Sequence, residues 1–141
     1  MLSSRLLTAL HPTVAAKATA HLAACKAEGI DLLITCTFRD REMQDHLYAQ
    51  GRTDPGKIVT NAKGGQSAHN YKLAYDIVPM VYGKPVWNTT GDDSKLWERV
   101  GELGEAQGLE WAGRWKTFRE YPHFQFLGGH PLSYFQDGGV L

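Results

Sequence analysis

The run Leu73-Ala74-Tyr75-Asp76-Ile77-Val78 places a carboxylate in the middle of an otherwise apolar, strand-forming segment. Period-two alternation puts Ala74, Asp76 and Val78 on one face and Leu73, Tyr75 and Ile77 on the other. Burying such a charge is costly unless it is paired or bound to a metal. Any fold this chain adopts must therefore bring a partner to Asp76. From this residue alone the partner is open: an arginine, a turn that the carboxylate caps, or a cation.

The flanking sequence favours the cation. His69 lies seven residues upstream of Asp76, after a glycine-rich stretch over 51–66. A loop of that length is uncommon inside a small domain and is often functional. A turn after His69 followed by a strand lets its imidazole reach back over Asp76. His123 sits in a second strand-like run, Tyr121 to Phe126, with Glu120 three residues before it. Two imidazoles and one carboxylate are the usual ligands of a catalytic zinc ion, with one coordination position left for water. Glu120 is then a spare carboxylate, placed to take a proton. Taken singly, each residue has a plainer reading: His69 an exposed loop histidine, Glu120 a surface glutamate, His123 a core histidine. Only the constellation lifts them. His11, His21, His46 and His130 show no ligand spacing.

The rest of the chain supplies a frame. Met1 to Leu10 reads as a short helix or an arm. Pro12 suits a first helical turn, Val14, Ala18, Leu22 and Cys25 follow at helical spacing, and Gly29 can end that helix. Ile30 to Phe38 predicts a buried strand with Arg39 at its end. Asp40 predicts a cap for a helix that carries Met43 and Leu47 on one face. Met80 to Trp87 predicts a hairpin near Gly83, and Asp92 or Asp93 a cap for a helix with Leu96, Val100 and Leu103 inward. The tail from Gly128 carries little pattern. The order of elements predicts one α+β domain spanning 1–141, with a small antiparallel or mixed sheet and helices packed on one side.

Composition narrows the partners. Fifteen basic and fifteen acidic residues give a net charge of +0, which argues against nucleic acid or an anionic membrane. No apolar run approaches the roughly 20 residues of a membrane span. The N-terminal leucines form too short a run for a secretory segment, so the expectation is cytoplasmic synthesis without a signal peptide. Cys25 and Cys36 are expected as buried free thiols. The oligomeric state is open, a monomer being the expectation.

With Ser67, His69, Ala74 and Asp76, followed by Glu120 and His123, the chain resembles the M15 family of zinc peptidases, the VanX/VanY type. Arg39 at a strand end and Gln44 on the next helix match further family positions. Leu47 to Thr53 and Ile58 to Thr60 are similar to the bacteriophage endolysin branch, the L-alanyl-D-glutamate peptidases. The resemblance implies an α+β fold shared with D-Ala-D-Ala peptidases and the Hedgehog zinc domain. It also implies Zn2+ on His69, Asp76 and His123, with Glu120 as catalytic base. Arg39 would stabilise the carbonyl oxygen or hold a substrate carboxylate, and Ser67 and Gln44 would contact substrate. Lys72 departs from the pattern, which has glycine there. Glycine tolerates positive φ, whereas lysine must change the turn or accept strain of about 1 kcal/mol or more.

The expected function is therefore a zinc-dependent peptidoglycan endopeptidase, an endolysin cutting the stem peptide at L-Ala–D-Glu after release from the cell at lysis. Two alternatives stand beside it: a D-Ala-D-Ala carboxypeptidase or dipeptidase of the same family, and a catalytically silent zinc-binding module.

Overall fold

A computed structural model describes residues 1–141. The axis of the fold is β2 (Ala74–Val81), the strand that carries Asp76. It lies between β1 (Asp31–Cys36) and β5 (His123–Gln125), with β4 (Glu110–Trp111) beyond β5 and β3 (Lys84–Pro85) folded back onto the end of β2. Every pairing is antiparallel, so of the two sheet types expected it is the antiparallel one that forms. The β2–β3 turn passes through Tyr82 and Gly83 at φ of 51° and 75°, the left-handed pair that matches the twist of a two-residue hairpin.

Alternation along β2 divides the labour of the sheet. Tyr75 pairs with Phe124, and Phe124 with Trp111, so three aromatic rings share one face. Their rings stack, with centroids 5.8 Å and 6.3 Å apart. Helices α1 (Pro12–Ala27) and α3 (Asp93–Glu105) pack there. His21 of α1 is fully buried among them, bonded to the Tyr75 hydroxyl at 2.7 Å and the Val100 carbonyl at 2.8 Å. The approach of α3 depends on two glycines. A β-carbon at Gly101 would lie 2.3 Å from the Trp111 ring, and one at Gly104 would lie 2.5 Å from Phe124. The opposite face carries Asp76, His123 and Gln125.

Most local expectations match. Gly29 ends the first helix at φ 77°. The Asp40 carboxylate accepts from the Met43 N–H at 2.7 Å and caps α2 (Arg41–Ala49). Cys25 and Cys36 are buried free thiols. Three details differ. Asp92 occupies the N-cap of α3 but its side chain caps nothing, because its own backbone is already helical. Asp93 instead accepts from the Asn88 amide at 3.0 Å. The fully buried residue of α2 is the polar Gln44, not Met43 or Leu47. The tail forms a short helix, α4 (Leu132–Gln136), which buries Phe135 and ties Gln136 Nε2 to the Gly65 carbonyl at 3.0 Å. The N-terminal arm bridges Ser3 to Arg39 and forms a 3-10 turn at Leu7–Ala9. No helix is long and apolar enough to cross a membrane.

Candidate metal centre and its cleft

Asp76 and His123 are direct partners across the β2–β5 ladder, so the strands themselves set their separation. His69 arrives from a 3-10 helix, Ala68–Tyr71. A capping box starts that turn: the Ser67 hydroxyl accepts from the His69 N–H, and Asn70 Oδ1 accepts from the Ser67 N–H. Asn70 Nδ2 also donates to the carbonyls of Arg39 and Asp40, tying the turn to the end of β1. Lys72 ends it at φ 64°, ψ 29°. The turn is thus left-handed at the position where the sequence pattern calls for glycine, although lysine occupies it.

The geometry at Asp76 has a specific requirement. Its Oδ1 lies 3.2 Å from His69 Nε2 and 3.1 Å from His123 Nδ1. The other nitrogen of each ring faces an oxygen acceptor. His69 Nδ1 donates to the Thr37 carbonyl at 2.9 Å, and His123 Nε2 donates to Gln125 Oε1 at 2.8 Å. In neutral rings those outer contacts fix the hydrogens outward and turn both inner lone pairs toward a carboxylate. A ring lone pair that faces a carboxylate oxygen needs a cation or a proton between them. Ligands of a tetrahedral zinc ion stand about 3.3 Å apart, given bonds of about 2.0–2.2 Å. The two spacings here come within a few tenths of an ångström of that value. With no metal, a proton is the substitute. Burial opposes a charged His69, but the Asp76 charge and its hydrogen bond outweigh this and raise the ring to about 10. Burial likewise works against ionised Asp76, yet the two histidines hold its carboxyl well below the ordinary range.

Cys36, His69 and Asp76 also place donor atoms within 4.8 Å of one another. The thiol, however, sits 3.8 Å from His69 Nδ1, the nitrogen already committed to Thr37. The nitrogen of the ring that meets Asp76 is Nε2, and His123 meets the same carboxylate oxygen from the neighbouring strand. A β-bulge in β1 between Ile34 and Cys36, opposite Asp76, brings this part of the chain over His69.

Arg39 closes the other side of Asp76. Its Nη2 donates to Asp76 Oδ2 at 3.3 Å, its Nη1 to Gln44 Oε1 at 3.2 Å and its Nε to Cys36 Sγ at 3.3 Å. The arginine partner that could have explained Asp76 by itself is therefore present, but it occupies only one carboxylate oxygen. Gln44 requires a correction. It is fully buried, donates to Thr60 Oγ1 and the Ala62 carbonyl, and does not reach the cleft. Its place is behind Arg39, orienting the guanidinium and tying the 51–66 loop to α2.

The centre opens into a cleft of 610 Å3, lined in part by Ser67, Arg39, Trp115, Phe118, Arg119 and Glu120. A second cavity of 260 Å3, with Trp87, Thr89 and Trp97 in its wall, adjoins it. Asp76, Arg119, Glu120 and His123 line both. Glu120 is exposed and its side chain makes no hydrogen bond, while its backbone N–H is held by the Ala112 carbonyl at 3.2 Å. The predicted residues His69, Asp76, His123, Glu120, Arg39 and Ser67 thus converge on one cleft. Thr37, Asn70, Gln125 and Arg119 emerge only from the structure. Gln125 had a legible signal, its place two residues from His123 on the same strand face. Thr37 had none, because it acts through its backbone.

A family model described as D-alanyl-D-alanine carboxypeptidase, of the M15 peptidases, matches residues 60–126. The chain is 43% identical over 123 residues to the peptidoglycan L-alanyl-D-glutamate endopeptidase CwlK of Bacillus subtilis (strain 168), covering 84% of this chain and 74% of that protein. Among solved structures it superposes on the L-Ala D-Glu endopeptidase ChiX of Serratia marcescens with a TM-score of 0.63, 19% identity and coverage of 85% and 82% of the two chains. A vancomycin-resistance D,D-pentapeptidase, VanY, solved with Zn(II), gives a TM-score of 0.61 at 15% identity, covering 99% and 86%.

Proposed function

Because the chain belongs to the M15 family of peptidases, we propose that it is a zinc-dependent peptidoglycan endopeptidase that cuts the stem peptide at the L-Ala–D-Glu bond. The observation that carries this is the shared Asp76 Oδ1, met at 3.2 Å and 3.1 Å by two imidazole nitrogens whose outer partners fix them as lone-pair donors. His69, Asp76 and His123 hold the ion. Bound there, Zn2+ supplies a Lewis acid for the amide carbonyl and the charge that makes water acidic near neutral pH.

The protein's own groups do the remaining work. Glu120, unpaired and at the mouth of the site, takes the proton of the attacking water and returns it to the departing amine. Arg39 holds Asp76 in register and lends positive charge beside the carbonyl oxygen as that oxygen gains charge. Ser67 both caps the His69 turn and lines the cleft, where substrate backbone reaches it. Residues 1–141 act as one peptidase unit, freed at lysis to reach the wall. The choice of bond rests on the likeness to CwlK, whose name specifies that bond. The carboxypeptidase reading finds support in the family description and in a VanY relative in complex with D-alanine-D-alanine.

Digestion of defined muropeptides by zinc-loaded protein, with products identified by mass, tests the proposal. The expected products carry a new N-terminal D-Glu. Loss of terminal D-Ala alone would transfer the chain to the carboxypeptidase reading. Glu120→Gln should lower turnover by about 10²–10⁴-fold while zinc content stays at one per chain. Unchanged turnover would remove Glu120 from its role.

A further inference from the structure

Arg119 is left over once the proton-transfer and metal-binding residues have been assigned, and its setting is specific. Its Nε donates to the Trp115 carbonyl at 3.1 Å and its Nη1 to the Tyr121 hydroxyl at 3.3 Å. Those bonds hold the guanidinium still while leaving Nη2 without a protein partner. Unlike Arg39, Arg99 and Arg114, it pairs with no carboxylate. It is the next residue to Glu120 and lines both cavities where they meet at the metal centre. Arg39 is the other cation in the cleft wall, and each of its three guanidinium nitrogens already has a protein partner, in Cys36, Gln44 and Asp76. The smaller cavity contains no cation except Arg119. An anion entering beside the scissile bond thus meets one free, pre-positioned guanidinium.

We propose that Arg119 is a specificity-determining residue that binds a free substrate carboxylate next to the scissile amide, so that the enzyme prefers stem peptides with an unmodified D-Glu over those whose α-carboxylate is amidated. The inference rests on the L-Ala–D-Glu reading above. When glutamate continues the chain through its side-chain carboxyl, its α-carboxylate remains free on the carbon bearing the scissile nitrogen. That anion must travel with the bond being cut, and so must lie near Glu120 and its neighbour. A guanidinium recognises a carboxylate with two parallel N–H donors, and a carboxamide offers it only one acceptor oxygen and no charge. A site built to pair a charged group discriminates strongly against the analogue that lacks it.

The test compares two synthetic muropeptides that differ only at this group, MurNAc-L-Ala-D-Glu-γ-L-Lys and its D-isoglutamine counterpart, with the zinc-loaded full chain. The readout is the ratio of kcat/KM for acid over amide. Wild type is expected to show a ratio of about 10 or more, and Arg119→Gln a ratio near one, reached mainly by loss on the acid substrate. Arg119→Lys, which keeps the charge without the fork, should retain an intermediate ratio. Zinc content and circular dichroism of each variant separate a lost contact from a lost fold. A wild-type ratio near one overturns the proposal while leaving the endopeptidase reading intact. Equal loss on both substrates in Arg119→Gln overturns it too, since it assigns Arg119 a general role. Failure to cut either peptide overturns both readings together.

Discussion

Gly101 sets a sharp test of how the helical layer supports the site. Replacing it with alanine brings two opposed effects. In a helix interior, alanine is favoured over glycine by about 1 kcal/mol. Against this, the new β-carbon would lie 2.3, 2.4 and 2.5 Å from three atoms of the Trp111 ring. The ring cannot simply step aside: it is 2% exposed, stacks on Phe124, and donates its Nε1–H to the Tyr121 carbonyl at 2.8 Å. Overpacking of this kind costs about 1–3 kcal/mol, and a pinned ring belongs at the upper end. Steric cost should therefore win, leaving Gly101→Ala about 1–2 kcal/mol less stable once the helix gain of about 1 kcal/mol is deducted. For a chain of this size that lowers Tm by roughly 3–6 °C. Thermal unfolding followed by far-ultraviolet circular dichroism, on zinc-free protein to avoid linkage to the metal, reads it directly. Trp111 also holds Tyr121 beside Glu120, so turnover should fall along with stability. A variant as stable as wild type or more so would show that helix propensity dominates and that the α3–Trp111 contact has room to spare.

Other expectations follow from the metal centre and its turn. Gln125→Leu removes the acceptor that orients His123 and should weaken zinc affinity by about 10–100-fold, measured by competition with a chelating dye. In metal-free protein the His69 pKa is raised to about 10, so its contribution to stability is full below about 6.5 and is lost as pH rises through 10. The Tm of the zinc-free protein should fall across that window, whereas zinc, taking the proton's place, should flatten the curve. A flat zinc-free profile would mean that His69 is not charged against Asp76. Lys72→Gly relieves left-handed strain of about 1–2 kcal/mol but adds freedom to the unfolded chain worth about 0.4–1 kcal/mol. It should be stabilising by about 0.5–1 kcal/mol in urea titration, with zinc affinity unchanged.

The sequence was legible where a single residue's chemistry forced an arrangement. A carboxylate inside Leu73–Val78 demanded a partner, and His69 and His123 do meet it. Strand alternation separated Asp76 from Tyr75 correctly, because a period of two leaves no other choice. Helix and turn ends were readable at Pro12, Gly29, Asp40 and Gly83, where backbone sterics or a cap act locally. Legibility failed where the deciding contact is remote. Gln44 resembles a surface residue of a short helix and is in fact buried, because Arg39, Thr60 and Ala62 satisfy its amide from distant parts of the chain. Helix α4 carries almost no periodic signal over Leu132–Gln136 and owes its place to Phe135 docking in the core. The Arg119 guanidinium could not be singled out among surface arginines until the two cavities were seen to meet at it.

The two-sidedness of β2 has a consequence for how the protein comes into being. Tyr75 and Asp76 are consecutive, one facing the aromatic layer and the other the cleft. Sliding β2 by one position against its neighbours would drive a carboxylate into the stacked rings and push a phenol toward the histidines. Misalignment therefore carries its own penalty, and the chain has little access to a well-packed but inert form. Alignment of the aromatic layer and assembly of the cleft thus depend on the same two neighbouring residues.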